Sequence, residues 1–327
     1  MQADDTARQK PSLSAAFNAV AQQAVADFPT LANRFVLVDI EEGQIHGLAH
    51  PALTNFSSIE ALEQYLSEAA TAASDNNTST SRYDGTHNGL TAIFYNSLAQ
   101  QEQVFGSDDV ENALGVVHHE LGHILVPGGM DDSTPDAAIK SENIADLFSA
   151  LRKARRDGDD DPAGVRLLAF TRARKLILDG GADAQEHFTT FSLLELADMM
   201  QTTSMGNMPP QMAVGMAEML GGQYAPSAAR VRDMAEAFAE CRGSTDVAAT
   251  ARKIAAITTS PAASDDVFKL GSFVMSYYLK GLLRVNNQPL KLEGAYWDDI
   301  REKIAAREAK PAKPQGLLII GAAAPAP

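Results

Sequence analysis

The stretch VVHHELGHIL, Val116–Leu125, sets three histidines and a glutamate into an otherwise apolar run. Such a run needs an element with two unlike faces, one held by the core and one carrying the titratable groups. Its period points to a helix: Val110, Leu114, Val117, Leu121 and Ile124 recur at three- and four-residue steps. Ser107 is placed to cap it, Asp108, Asp109 and Glu111 suit its positive end, and Pro127 stops it. His119 and His123, four apart, project from a second face one turn from each other, where both imidazoles can share a metal ion. Glu120 is displaced around the helix, within reach of a water on that metal without being a ligand. His118 points about 100° away from His119 and is assigned to packing or a rim position.

This is the H-E-x-x-H arrangement, but a catalytic zinc site takes three protein ligands and a water. The next predicted helix supplies the third. It opens with Thr134 as cap and Pro135 at its first position, and carries Glu142 and Asp146 four apart on one face. Residues 124–141 leave room for a helix end, the turn VPGGMDDST and an antiparallel return. Glu142 is then the third ligand, and Asp146 accepts the free ring N–H of a ligand histidine, which sets its tautomer. The metzincin pattern fails because Val126 and Gly129 stand where glycine and histidine are required, and the single Cys241 excludes cysteine-based sites. His46, His50 and His87 have no partner at ligand spacing.

These motifs resemble the gluzincin metallopeptidases over residues 90–151. The gap from His123 to Glu142 is similar to that of the aminopeptidase N family, ENIAD resembles the neprilysin motif, and AIFYN before VVHHELGHIL resembles thermolysin's edge strand and active-site helix. The resemblance implies Zn²⁺ on His119, His123 and Glu142, with Glu120 as general base. It also implies that the strand around Ala92, Ile93, Phe94 and Tyr95 pairs with an extended substrate by β-augmentation. The oxyanion donor has two claimants. SYYLKG is similar to the Tyr-x-Lys-Gly segment of aminopeptidase N-like enzymes and implies Tyr278, whereas thermolysin-like enzymes use a histidine, which implies His187.

Abundant alanine and sparse aromatics favour helix, so the expected fold is α+β and predominantly α-helical. A small mixed α+β lobe with an edge strand covers 1–107, the zinc-binding helix pair 108–157, and a helical lobe 158–309, with a cleft between the lobes. The Pro/Ala-rich tail 310–327 is expected to be disordered. The loop RKARRDGDDDP places its basic residues in the last turn of a helix, where they suit the dipole. It is not a calcium loop, with Pro162 and Leu168 at the positions that need glycine and glutamate.

Lys and Arg number 27 against 42 Asp and Glu, a net charge of −15, and no basic stripe follows a phosphate backbone, which argues against nucleic acid. No window approaches a membrane span, and the start lacks an apolar signal region, so a cytoplasmic protein is expected. The expected function is a zinc-dependent peptidase acting on a peptide or protein substrate. Endopeptidase is preferred because the Gly-x-Met-Glu-Asn segment of aminopeptidases is absent. The alternative is a regulatory or partner-binding protein that keeps the zinc site with little or no turnover. A hydrolase of non-peptide amides or epoxides also stays open.

Overall fold

The computed structural model describes residues 13–32, 35–41, 44–46, 64, 82–87, 90–95, 110–158, 160–285 and 288–309. Helix dominates them. The chain divides into two compact units, one of residues 1–176 and 181–232, the other of 177–180 and 233–327. The first unit therefore runs on to Arg232, well past residue 157, and takes in helices that composition assigns to a separate lobe.

In the first unit α1 (Leu13–Asp27) is followed by strands β1 (Phe35–Glu41), β2 (Gln44–His46), β3 (Arg82–His87) and β4 (Leu90–Tyr95). They form one sheet in the order β2-β1-β4-β3, with β1 parallel to β4 and the other two pairings antiparallel. This corrects the edge-strand assignment. Leu90–Phe94 pair with β3 and Thr91–Tyr95 with β1, so the backbone around Ala92–Tyr95 is engaged on both sides and offers no free edge to a peptide. Among the described residues the sheet ends instead on β2 and β3.

Two helices then carry the motifs, α2 (Val110–Leu125) and α3 (Pro135–Asp157). On α2, Val117 and Leu121 are fully buried, as the period requires, and Ile124 is half-buried. The Ser107 cap, the 310–327 tail and the side chains of Val110 and Leu114 lie outside the described residues. Thr134 caps α3 as expected, its Oγ1 accepting from the Ala137 N–H at 3.1 Å, with Pro135 behind it. α3 is the central helix of this unit. It packs against α2, α5 (Ala182–Glu186), α6 (Thr190–Met200) and α7 (Pro210–Tyr224), and buries Ile144, Ala145, Leu147, Phe148 and Leu151 among them. Between α3 and α5 runs α4 (Pro162–Leu178).

α1 is tied to α3 by charge. Asp27 accepts from Arg152 and, through both oxygens, from Arg155 at 2.6 and 2.9 Å. The basic end of α3 thus holds a neighbouring helix as well as suiting its own dipole.

The second unit follows α8 (Ala228–Ala237), which the division crosses. It comprises α9 (Val247–Thr258), α10 (Asp265–Leu279), a two-residue ribbon of β5 (Arg284–Val285) and β6 (Gln288–Pro289), and α11 (Ala295–Glu308). Asp246 and Ser264 cap α9 and α10, and Ile254, Leu270, Val274, Tyr278 and Ile300 are buried. Cys241 is buried there too, and burial pushes its thiol up to about 11, which makes it inert. No helix among the described residues is long and apolar enough to cross a membrane.

Candidate metal centre

Contacts between α2 and α3 run in opposite order along the two helices. Ser149 donates to the Gly115 carbonyl at 2.8 Å, His119 meets Asp146, and His123 meets Ser141 and Glu142. The helices are therefore antiparallel, the return that the 124–141 spacing predicts. Gly122 sets how closely they cross: a Cβ there would stand 2.8 Å from the Ala145 Cα and 3.1 Å from its carbonyl oxygen. The turn joining them needs glycine twice. Gly128 has φ +76°, and a Cβ on Gly129 would meet the Gly122 carbonyl oxygen at 2.7 Å.

This crossing brings three ligand atoms together. The Nε2 atoms of His119 and His123 lie 3.2 Å apart, and the Glu142 oxygens lie 3.2 Å from the first and 3.5 Å from the second. A tetrahedral ion with bonds of about 2.0–2.1 Å separates its ligands by about 3.3 Å. The three side chains are only 11–12% exposed. Among the described residues they are the one group of His, Cys, Asp and Glu that could hold a metal ion.

Hydrogen bonds on the far side of each ring decide which lone pairs face inward. His119 Nδ1 stands 2.8 Å from an Asp146 carboxylate oxygen, which can only accept. His123 Nδ1 faces the Gly129 carbonyl and lies 3.0 Å from Ser141 Oγ, whose own hydroxyl donates to that carbonyl. Both rings therefore carry their proton at Nδ1 and, when neutral, turn bare Nε2 lone pairs toward each other. Glu142 Oε2 is buried beside them and accepts no hydrogen bond. Electron pairs focused in this way fit a cation. Without one, a proton does the work: burial opposes it, but the Glu142 and Asp146 carboxylates raise His119 to about 10. Burial would likewise raise Glu142, and the histidines facing it hold it well below the usual range.

Asp146 is the hub behind the ligands. Besides His119 it receives Nε and Nη2 of Arg172, each at 2.8 Å, and the Thr189 hydroxyl at 2.6 Å. Burial is outweighed by the Arg172 and His119 charges, and the carboxyl stays ionised far below its ordinary range.

The sequence-predicted residues distribute unevenly. His119, His123, Glu142 and Asp146 converge. Glu120 is half-buried on α2 beside them, and His118 is buried, consistent with packing. His187, at the end of α5, places Nε2 3.4 Å from Glu142 Oε2 and turns Nδ1 to the Asp183 carbonyl at 2.9 Å. Tyr278 is 1% exposed on α10 in the second unit. Ser141, the Gly129 carbonyl, Arg172 and Thr189 were not foreseen. Nothing local marks Arg172 or Thr189.

No family model, curated protein or solved structure matches this chain. The centre is thus read from its own geometry.

Proposed function

We propose that the chain is a zinc-dependent peptidase, with endopeptidase action preferred. The observation that carries this reading is the convergence of His119 Nε2, His123 Nε2 and a Glu142 oxygen, with both Nδ1 protons already committed elsewhere. Two imidazoles and a carboxylate, behind which a second carboxylate orients one ring, are a donor set that suits zinc and leaves a fourth position open. When bound, zinc supplies Lewis acidity and lets water ionise near a pH of about 7.

The protein's own groups do the rest. Glu120 takes the proton from the attacking water on its carboxylate and returns it to the leaving amine. His187 is the oxyanion candidate that stands in the same unit as the centre: as an imidazolium it keeps one proton at Nδ1 on the Asp183 carbonyl and has a second N–H to donate at Nε2, which borders Glu142. A donor in that role lowers the barrier by about 3 kcal/mol. Arg172 keeps Asp146 ionised, so that Asp146 holds the His119 proton rather than taking it. An extended substrate would add to β3, the sheet edge that lies against α2, in place of the interior Ala92–Tyr95 strand.

Fluorescein-labelled casein tests the reading. Cleavage should stop with a zinc chelator and return when zinc is restored. A zinc-loaded chain that leaves casein intact would overturn it, in favour of a partner-binding protein built on the same centre.

A further inference from the structure

The segment that follows α5 carries an unusual density of buried polar groups. Thr189, Thr190 and Ser192 are fully buried. Each spends its hydroxyl on a tether: Thr189 on Asp146, Thr190 on the Ala169 carbonyl at 3.1 Å, and Ser192 on Asn143 Oδ1 at 2.5 Å. Asn143, itself fully buried, donates to the Phe188 carbonyl at 3.2 Å and to the Ile139 carbonyl at 2.7 Å. Asn143 and Asp146 are consecutive positions on one face of α3, next to and one turn beyond Glu142. Residues 188 and 189 are thus clipped to the helix that carries the third ligand, one through its backbone and one through its side chain.

His187 stands immediately before this clip. Its Nδ1 turns back to Asp183, within the five-residue helix α5, and orients the ring, while its Nε2 reaches α3 only through the 3.4 Å contact with Glu142 whose geometry the clip preserves. The bond from Thr189 to Asp146 joins the segment to the carboxylate that also holds His119. We infer that Thr189 is a positioning residue: through Asp146 it locks the segment carrying His187 to the metal-bearing helix, so that His187 keeps its place relative to Glu142. Asp146 does not depend on Thr189 for its own place, because the Arg172 fork and His119 still hold both of its oxygens. Loss of the hydroxyl therefore removes one of the two tethers, leaving the Asn143 bond to the Phe188 carbonyl, and loosens the His187 segment while the ligand set stays intact. The inference rests on the peptidase reading for its kinetic consequence and on the clip alone for its structural one.

Thr189→Val keeps the shape and removes the tether, whereas Thr189→Ser keeps the hydroxyl. With zinc-loaded protein and labelled casein, T189V should lower kcat about tenfold to a hundredfold, the cost of misplacing a reacting group by about an ångström. KM and zinc content should be unchanged, and T189S should restore kcat. In a His187→Ala background T189V should have no further effect, because the two residues act as one unit. Additive losses in that double variant, or a fall in kcat that tracks lost zinc, would overturn the inference. Hydrogen exchange gives a reading that needs no turnover. T189V should speed exchange at the His187 and Phe188 amides about tenfold or more, with α2 and α3 unaffected. Unchanged exchange refutes the clip even if casein is never cleaved, whereas faster exchange in an inactive chain upholds the clip and refutes only the peptidase reading.

Discussion

A neutral imidazole offers a lone pair at Nε2 only while something holds its proton at Nδ1. The two ligand histidines solve this differently. His119 has a carboxylate behind it, and His123 has a carbonyl and a hydroxyl. Removing the charged partner should matter more than removing the neutral one. Asp146→Asn is expected to weaken zinc binding toward a hundredfold and Ser141→Ala about tenfold, read by competition with a chromophoric chelator. Equal affinity in wild type and both variants would show that the bonds behind the rings are incidental. At this scale the sequence was most legible where a single helix fixes the geometry. His119 with His123, and Glu142 with Asp146, are each four apart on one helix, and their mutual placement follows from its pitch. What lies behind each carboxylate was not legible, because Arg172 and Thr189 reach Asp146 from parts of the chain that no spacing rule connects to it.

Helices α2 and α3 act as one element because Gly122 lets them touch. Gly122→Ala would drive a methyl into the Ala145 backbone, which cannot turn aside as a side chain could. The expected cost is about 1–3 kcal/mol in denaturant unfolding, with weaker zinc binding because Glu142 moves away from the histidines. Wild-type stability and affinity would mean that the crossing is not set here. The clamp from α1 gives a pH signature. Burial works against ionisation of Asp27, but Arg152 and Arg155 outweigh it and hold the carboxyl below its ordinary 3.8. Its stabilisation is therefore complete above that value and is lost as pH falls through the lower folded one. Asp27→Asn should cost about 3 kcal/mol near neutrality, and the gap to wild type should close only in acid. A gap constant down to the acid limb would contradict the clamp. Thr134, Pro135 and Pro127 announced these helix ends. Strand partners were another matter: β4 has the composition of a strand anywhere in a sheet, and only its pairing with β1, some fifty residues earlier in the chain, makes it interior.

For the whole molecule, the centre belongs entirely to the first unit, whose ligands come from one helix pair and whose supporting groups come from α4 and the segment after α5. The boundary of that unit was not legible, because α4–α7 read by themselves as ordinary helices, and only the packing of α5–α7 on α3 and the Arg172–Asp146 pair from α4 tie them to it. A metal held across these elements binds the folded state and not the unfolded chain. Zinc at a hundred times its Kd should thus add about 2.7 kcal/mol of stability. Chelation should lower Tm in wild type and leave Glu142→Ala unmoved; a chelator effect of equal size in both would place the metal elsewhere. The central claim, a zinc centre served by a separate base, is tested most directly by Glu120→Gln, with zinc content and casein cleavage measured on the same preparation. The account predicts wild-type zinc and no cleavage. Cleavage retained with full zinc would contradict it.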